Sequence, residues 1–180
     1  MNKLSSDFEL DRYGLHVRLV REEDAEFIVK LRTDDTLSKF VHKTDSDVQK
    51  QILWINEYKE RERIGKELYF IFENEFNEPV GVERIYDICD NKFTSGSWLA
   101  KSDKVGTGVL CDIITREIAF ELYPNSLNFF TISKTNKNVL RYAESYFPTL
   151  YSQDEENNHY YIGEGNFNKY KQKYLRMVKR

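Results

Sequence analysis

Apolar and polar positions change their spacing along the chain, and each change marks a new element. Residues 15–20, LHVRLV, alternate with period two and predict a strand. In REEDAEFIVKLRT, which follows, Ala25, Phe27, Ile28 and Leu31 fall at helical spacing. Thr44, Asp45 and Ser46 are side chains able to cap a helix start, and Val48, Ile52 and Ile55 form an apolar stripe behind them. ELYFIFEN and EPVGVERIYDI, rich in aromatic and β-branched residues, flank the polar NEFNE and predict a hairpin; FTSGSWLA extends it to a three-stranded meander. Leu110, Ile114, Ile118 and Leu122 then recur every four residues, and the pattern stops near Pro124, as a helix would. SLNFFTIS reads as a strand, NKNVLRYAESYF as a helix, HYYIGEG as a last strand and NFNKYKQKYLRMVKR as a terminal helix. The expected class is mixed α/β, with a mostly antiparallel central sheet flanked by helices.

A length of 180 residues fits one domain, spanning 1–180, and leaves room for a sizeable core. The chain is 14% aromatic, which is too rich for disorder. A net charge of -3 lacks the basic excess of a nucleic-acid binder, so nucleic acid is not an expected partner. No segment approaches the roughly 20 apolar residues that span a membrane, and MNKLSSDFEL has no apolar stretch of signal-peptide length. These features predict a soluble, cytoplasmic protein without a membrane partner. Cys89 and Cys111 both lie in apolar segments, which suits core thiols in a reducing compartment better than a disulfide or a metal site; no metal is expected. The oligomeric state stays open, a homodimer among the options.

The distinctive local feature is a glycine pair, Gly106 and Gly108, where a strand ends and the most regular helix begins. A helix start offers unpaired N–H groups and the positive end of a dipole to an anion, and Lys104 adds a charge beside it. A P-loop would need G-x-x-x-x-G-K-S/T, which is absent; a dinucleotide fingerprint would need a glycine where Cys111 stands. Residues 103–108, Asp-Lys-Val-Gly-Thr-Gly, instead resemble the Q/R-x-x-G-x-G/A signature of the GNAT superfamily of acyl-CoA-dependent N-acyltransferases, with Asp103 at the Q/R position. NKNVLRYAESYF is similar to the family's pattern after its fifth strand: Asn136, Asn138, Val139, Leu140 and Glu144 fall in register, and the glycine before the final Phe is missing. The resemblance runs from about Leu15 to Tyr151.

That resemblance implies a sheet splayed between its fourth and fifth strands, with acetyl-CoA or another short acyl-CoA as co-substrate. Backbone amides of Lys104, Val105, Gly106, Thr107, Gly108 and Val109 would hold the coenzyme pyrophosphate. Leu99 and Ala100 would pair with the pantetheine arm, Trp98 would line the acyl pocket, and Asn136 and Asn138 would lie beside the coenzyme. The amine must lose a proton and the departing thiolate gain one. Candidates for the base are Glu83 and Asp87, placed by period two on one face with Ile85, and His42 between the first two helices. The family's usual acid, a Tyr, is replaced by Ala143; Tyr142 is adjacent but about 100° round the helix. On the acceptor side Trp54, Tyr58, Tyr69 and Tyr86 accompany Arg61 and Arg84, groups that stack on rings and pair with phosphate. They are similar to those of GNAT enzymes that acylate nucleotide-linked amino sugars. Acetylation of a protein N-terminus and a non-catalytic acyl-CoA-binding module are the alternatives.

Overall fold

Tyr13 and Gly14, at φ of 54° and 80°, turn the chain back on itself and join β1 (Glu9–Arg12) to β2 (Leu15–Leu19). The computed structural model describes residues 3–41, 44–101, 104 and 106–178. After β2 a short 3-10 turn leads into α1 (Ala25–Thr33) and α2 (Val48–Arg63). The cap of α2 is Asp47, whose side chain accepts from the Gln49 N–H, in place of the expected Thr44, Asp45 or Ser46.

β3 (Leu68–Glu73) and β4 (Pro79–Cys89) form the expected hairpin, closed by the Asn74 side chain, which accepts from the N–H groups of Phe76 and Glu78. β5 (Lys92–Ala100) completes the meander. Then come α3 (Thr107–Leu122), β6 (Leu127–Ser133), α4 (Lys137–Glu144), β7 (Thr149–Gln153), β8 (Asn157–Gly163) and α5 (Glu164–Val178). One eight-stranded sheet runs β1-β2-β3-β4-β5-β6-β8-β7. Every neighbouring pair is antiparallel except β5 with β6.

That exception opens the sheet. β5 and β6 pair only through Lys92–Thr94 and Leu127–Phe129, and beyond Thr94 the two strands part. With β1 added at the front, they are the fourth and fifth strands of the sequence expectation. One face of the sheet packs Val17, Phe70, Ile85 and Phe93 against Ile113, Ile114, Ile118 and Phe120 of α3 and Phe167 of α5. The other packs Tyr69, Ile71, Val82 and Leu99 against α1 and α2. Burying each such aliphatic or Phe side chain stabilises the fold by about 1.5–3 kcal/mol.

Cys111 is buried, as expected of a core thiol, whereas Cys89 is exposed at the end of β4. The reading of both as core residues is corrected there, because the strand runs past the helices that would cover it. No described helix is long and apolar enough to cross a membrane. Among the described residues no group of three or more His, Cys, Asp or Glu side chains is placed to hold a metal ion.

Candidate active site

The parting of β5 and β6 leaves a cleft of about 480 Å³, and α3 points its first turn at one end of it. Gly106 caps α3 at φ 94°, and a Cβ there would meet Val178 Cγ2 at 2.7 Å, so only glycine fits this turn without a shift. At Gly108 a Cβ would stand 3.5 Å from Trp98 Cζ2 and from Ala100 Cβ, an ordinary contact; the glycine sets α3 close against β5. Geometry leaves the first amides of α3, those of Gly108 and Val109 among them, without intrahelical acceptors. These N–H groups and the dipole behind them suit a phosphate.

The cleft's floor is polar although it lies inside the protein. α3 is buried almost all round, and Asp112, Thr115 and Arg116 therefore project into packed surroundings. Arg116 Nε donates to Asp112 Oδ1 at 2.9 Å, and the Tyr142 hydroxyl donates to Asp112 Oδ2 at 2.7 Å. Tyr146 OH stands 3.1 Å from Tyr142 OH, and the Arg116 guanidinium lies 4.7 Å over the Phe130 ring. Glu83 reaches this group from β4. It is 1% exposed, and its Oε2 has no hydrogen-bond partner. Burial, and then the charge of Asp112, push the Glu83 carboxyl well above the usual carboxylate range, against the opposing pull of Arg116. Burial likewise pushes the Tyr142 hydroxyl up, so it stays protonated and serves as a donor.

On the α2 side of the sheet lie two further cavities. One, of about 280 Å³, is lined by Arg32, Lys50, Gln51, Trp54, Tyr69 and Arg84. A larger one, of about 970 Å³, includes Arg61, Arg84, Tyr86, Lys92, Phe129 and Tyr151 in its walls. Arg84 belongs to both, and Phe130 and Thr131 line both the larger cavity and the cleft. Buried Glu67 aims Arg84 and its neighbour: Oε1 accepts from Arg84 Nε and Oε2 from Arg61 Nε, each at 2.7 Å. The Arg84 guanidinium is thereby held 4.9 Å over Trp54, 5.8 Å from Tyr69 and 5.3 Å from Tyr86. Ring faces and a fixed guanidinium together can take a planar ring and an anion.

No protein-family model and no curated protein sequence matches the chain. Solved structures do match. Apo FdhC, a nucleotide-linked sugar GNAT, superposes with a TM-score of 0.82 at 31% identity, covering 96% of this chain and 99% of that one. The chain belongs to the GNAT superfamily. It is an acyl-CoA-dependent N-acyltransferase. Two GNAT enzymes at 12% identity share the fold. The ribosomal-protein-S5-alanine acetyltransferase of Vibrio fischeri superposes at TM-score 0.74 over 89% of this chain and 99% of that one. The Vibrio cholerae spermidine N-acetyltransferase, in complex with CoA and spermine, does so at 0.69 over 87% and 99%.

In this GNAT the residues expected beside the coenzyme do not all face one way. Trp98, Leu99, Ala100, Gly108, Asn136 and Asn138 line the cleft. Asn136 also caps α4, accepting from the Val139 N–H at 3.3 Å. Lys104 turns aside: its ammonium pairs with Glu75 at 2.6 Å, and the residue lines a different depression. Val105 and Asp103 lie outside the described residues, as does His42.

Of the proton-transfer candidates, Glu83 and Tyr142 face the same cleft, and Ala143 lines it too. Asp87 does not share their face. The chain bulges between Tyr86 and Cys89, Asp87 takes φ 52°, and its side chain is exposed at the larger of these two cavities; period two fails at the bulge. Tyr58 is a second correction, since it is fully buried and its hydroxyl accepts from the Tyr69 N–H at 2.8 Å. It backs Trp54, stacked at 5.8 Å, and lines neither of these cavities nor the cleft. Tyr69 is 1% exposed and offers only part of one cavity wall; burial pushes its hydroxyl up to about 12. Asp112 and Arg116 escaped the sequence reading, though opposite charges four apart on a mostly apolar helix are a legible sign of a buried pair.

Proposed function

We propose that this GNAT transfers an acyl group from acetyl-CoA, or another short acyl-CoA, to the amine of a nucleotide-linked amino sugar. The observation that carries the reading is a series of shared walls: Arg84 lines both α2-side cavities, and Phe130 and Thr131 line the larger of them and the cleft. An acceptor laid along these walls would stack its base near Trp54, meet Arg84, Arg61 and Lys92 with its phosphates, and bring its sugar to Thr131. The 31% identity with a nucleotide-linked sugar GNAT supports the same acceptor class.

On the other side of the opening, the first turn of α3 would hold the pyrophosphate, and β5 from Trp98 to Ala100 the pantetheine arm. The amine nitrogen attacks the thioester carbon; a C–N bond forms, the C–S bond breaks, the nitrogen loses a proton and the thiolate takes one. A carboxyl that is buried and raised in pKa suits the donor end of this exchange better than the base end. Glu83, which lines the same cleft as Tyr142, is therefore assigned to the leaving thiolate.

The test is a panel. Acetyl-CoA is supplied with dTDP- and UDP-amino sugars, with spermidine, and with a peptide bearing a free N-terminal Ala, and release of free thiol is followed. Turnover confined to the nucleotide sugars is the expected outcome. Preferential turnover of the peptide or the polyamine would overturn the acceptor.

A further inference from the structure

Acyl transfer also needs a group to take the amine's proton. Glu83, its carboxyl raised by burial, is assigned above to the thiolate, Asp87 sits on an exposed bulge, and His42 is outside the described residues. Where the acceptor cavity meets the cleft stands Thr131, on β6. Its cross-strand partner on β8 is His159. Thr131 Oγ1 lies 2.9 Å from His159 Nδ1, and His159 Nε2 lies 2.9 Å from Asp154 Oδ2 in the turn between β7 and β8. Asp154 is itself fixed: its Oδ1 accepts from the N–H groups of Glu156 at 2.8 Å and Asn157 at 2.7 Å.

The direction of each bond follows. The His159 bond and the two backbone N–H groups hold the Asp154 carboxyl down to about 2, so it is ionised at neutral pH and only accepts. His159 Nε2 must then carry hydrogen, and in the neutral ring Nδ1 is bare. Thr131 must donate to Nδ1, which leaves its oxygen lone pairs for a donor arriving at the cavity junction.

We propose that Thr131, His159 and Asp154 form a proton relay for the acceptor amine. As the C–N bond forms, the nitrogen's proton passes to Thr131 Oγ1, the threonine's own proton passes to His159 Nδ1, and Asp154 stabilises the resulting imidazolium. The His159 side chain is 24% exposed, so the proton leaves from there to water. Thr131 is the group that touches substrate, and Asp154 is a positioning residue that sets the tautomer. The relay rests on the acceptor path proposed above.

The test has two arms. In the first, acetyl-CoA and the nucleotide-linked amino sugar that turns over in the panel are used at saturation. Thr131→Val and His159→Gln are expected to lower kcat on the order of 100-fold, with KM for acetyl-CoA within about twofold, and Thr131→Ser to restore most of the rate. A kcat within about threefold of the parent in both variants overturns the relay. The second arm uses the bare protein with nitrogen-15-labelled histidine. The chain has only three His, and His159→Gln assigns the signal. His159 protonated at Nε2, losing that preference in Asp154→Asn, is expected; protonation at Nδ1 overturns the relay. If no nucleotide sugar is turned over, the acceptor class fails, and the tautomer decides the relay independently.

Discussion

At the scale of single residues, Glu83 and the glycine pair have opposite kinds of consequence. Burial raises the folded-state pKa of Glu83 above its ordinary 4.5. The folded protein thus binds this proton more tightly than the unfolded chain does. The stabilisation is fully present below about pH 4.5 and is lost as pH rises through the folded value. Glu83→Gln is neutral throughout, so its melting temperature relative to the parent should rise as pH climbs above about 4.5. A flat difference in paired thermal melts would mean that the carboxylate is already ionised in the fold. For the glycines, Gly106→Ala should cost about 1–3 kcal/mol, because φ 94° and the 2.7 Å approach to Val178 both oppose a Cβ. Gly108→Ala should fold at least as stably as the parent, since its Cβ meets ordinary contacts and alanine favours a helix by about 1 kcal/mol. Urea melts of the two variants separate these roles. The glycine pair was legible because a turn needs particular residues at particular places. Asp154 and Thr131, by contrast, are surface polar residues whose meaning appears only when sheet register sets them on either side of His159.

Among elements, long and strongly patterned segments were readable, and short polar ones were not. The stripe of α3 and the aromatic run of β3 point to their structures unaided. β1 is ELDR, four residues without an apolar face, and it forms because the Tyr13–Gly14 turn returns β2 beside it. β7, TLYSQ, is exposed at every position, so no alternation marks it; pairing with β8 alone defines it. α4 is the element where fold and ligand compete for one side chain. It has only eight residues, and the Asn136 cap that starts it also lines the cleft. Asn136→Ala should therefore lose about 1 kcal/mol of stability along with acetyl-CoA affinity. Asn136→Asp keeps a cap acceptor but sets a negative charge in the cleft proposed for the anionic coenzyme. It should regain the melting temperature and still raise KM for acetyl-CoA roughly fivefold. Recovery of both together would make the residue a cap alone.

For the whole molecule, the parallel pairing of β5 with β6 decides the architecture of the site. Antiparallel strands joined by a short turn would stay zipped, but these two are linked through α3, so they are free to diverge after three paired residues. The opening lies between the coenzyme contacts proposed on α3 and α4 and the acceptor contacts proposed on α2 and β4. This division has a measurable form. Trp54→Leu keeps an apolar cover over Tyr58 but removes the ring that Arg61 and Arg84 approach. It should raise KM for the amino sugar about fivefold, the equivalent of roughly 1 kcal/mol of cation–π and stacking contact, and leave KM for acetyl-CoA unchanged. Asn136→Asp should do the reverse. Trp54 and Asn136 line different cavities, so the free energies in the double variant should add to within about 0.5 kcal/mol. Each KM in the double variant then equals its single-variant value. An interaction energy well beyond that, read from a full double-mutant cycle in kcat/KM, would mean that the two faces act as one coupled site across the opening.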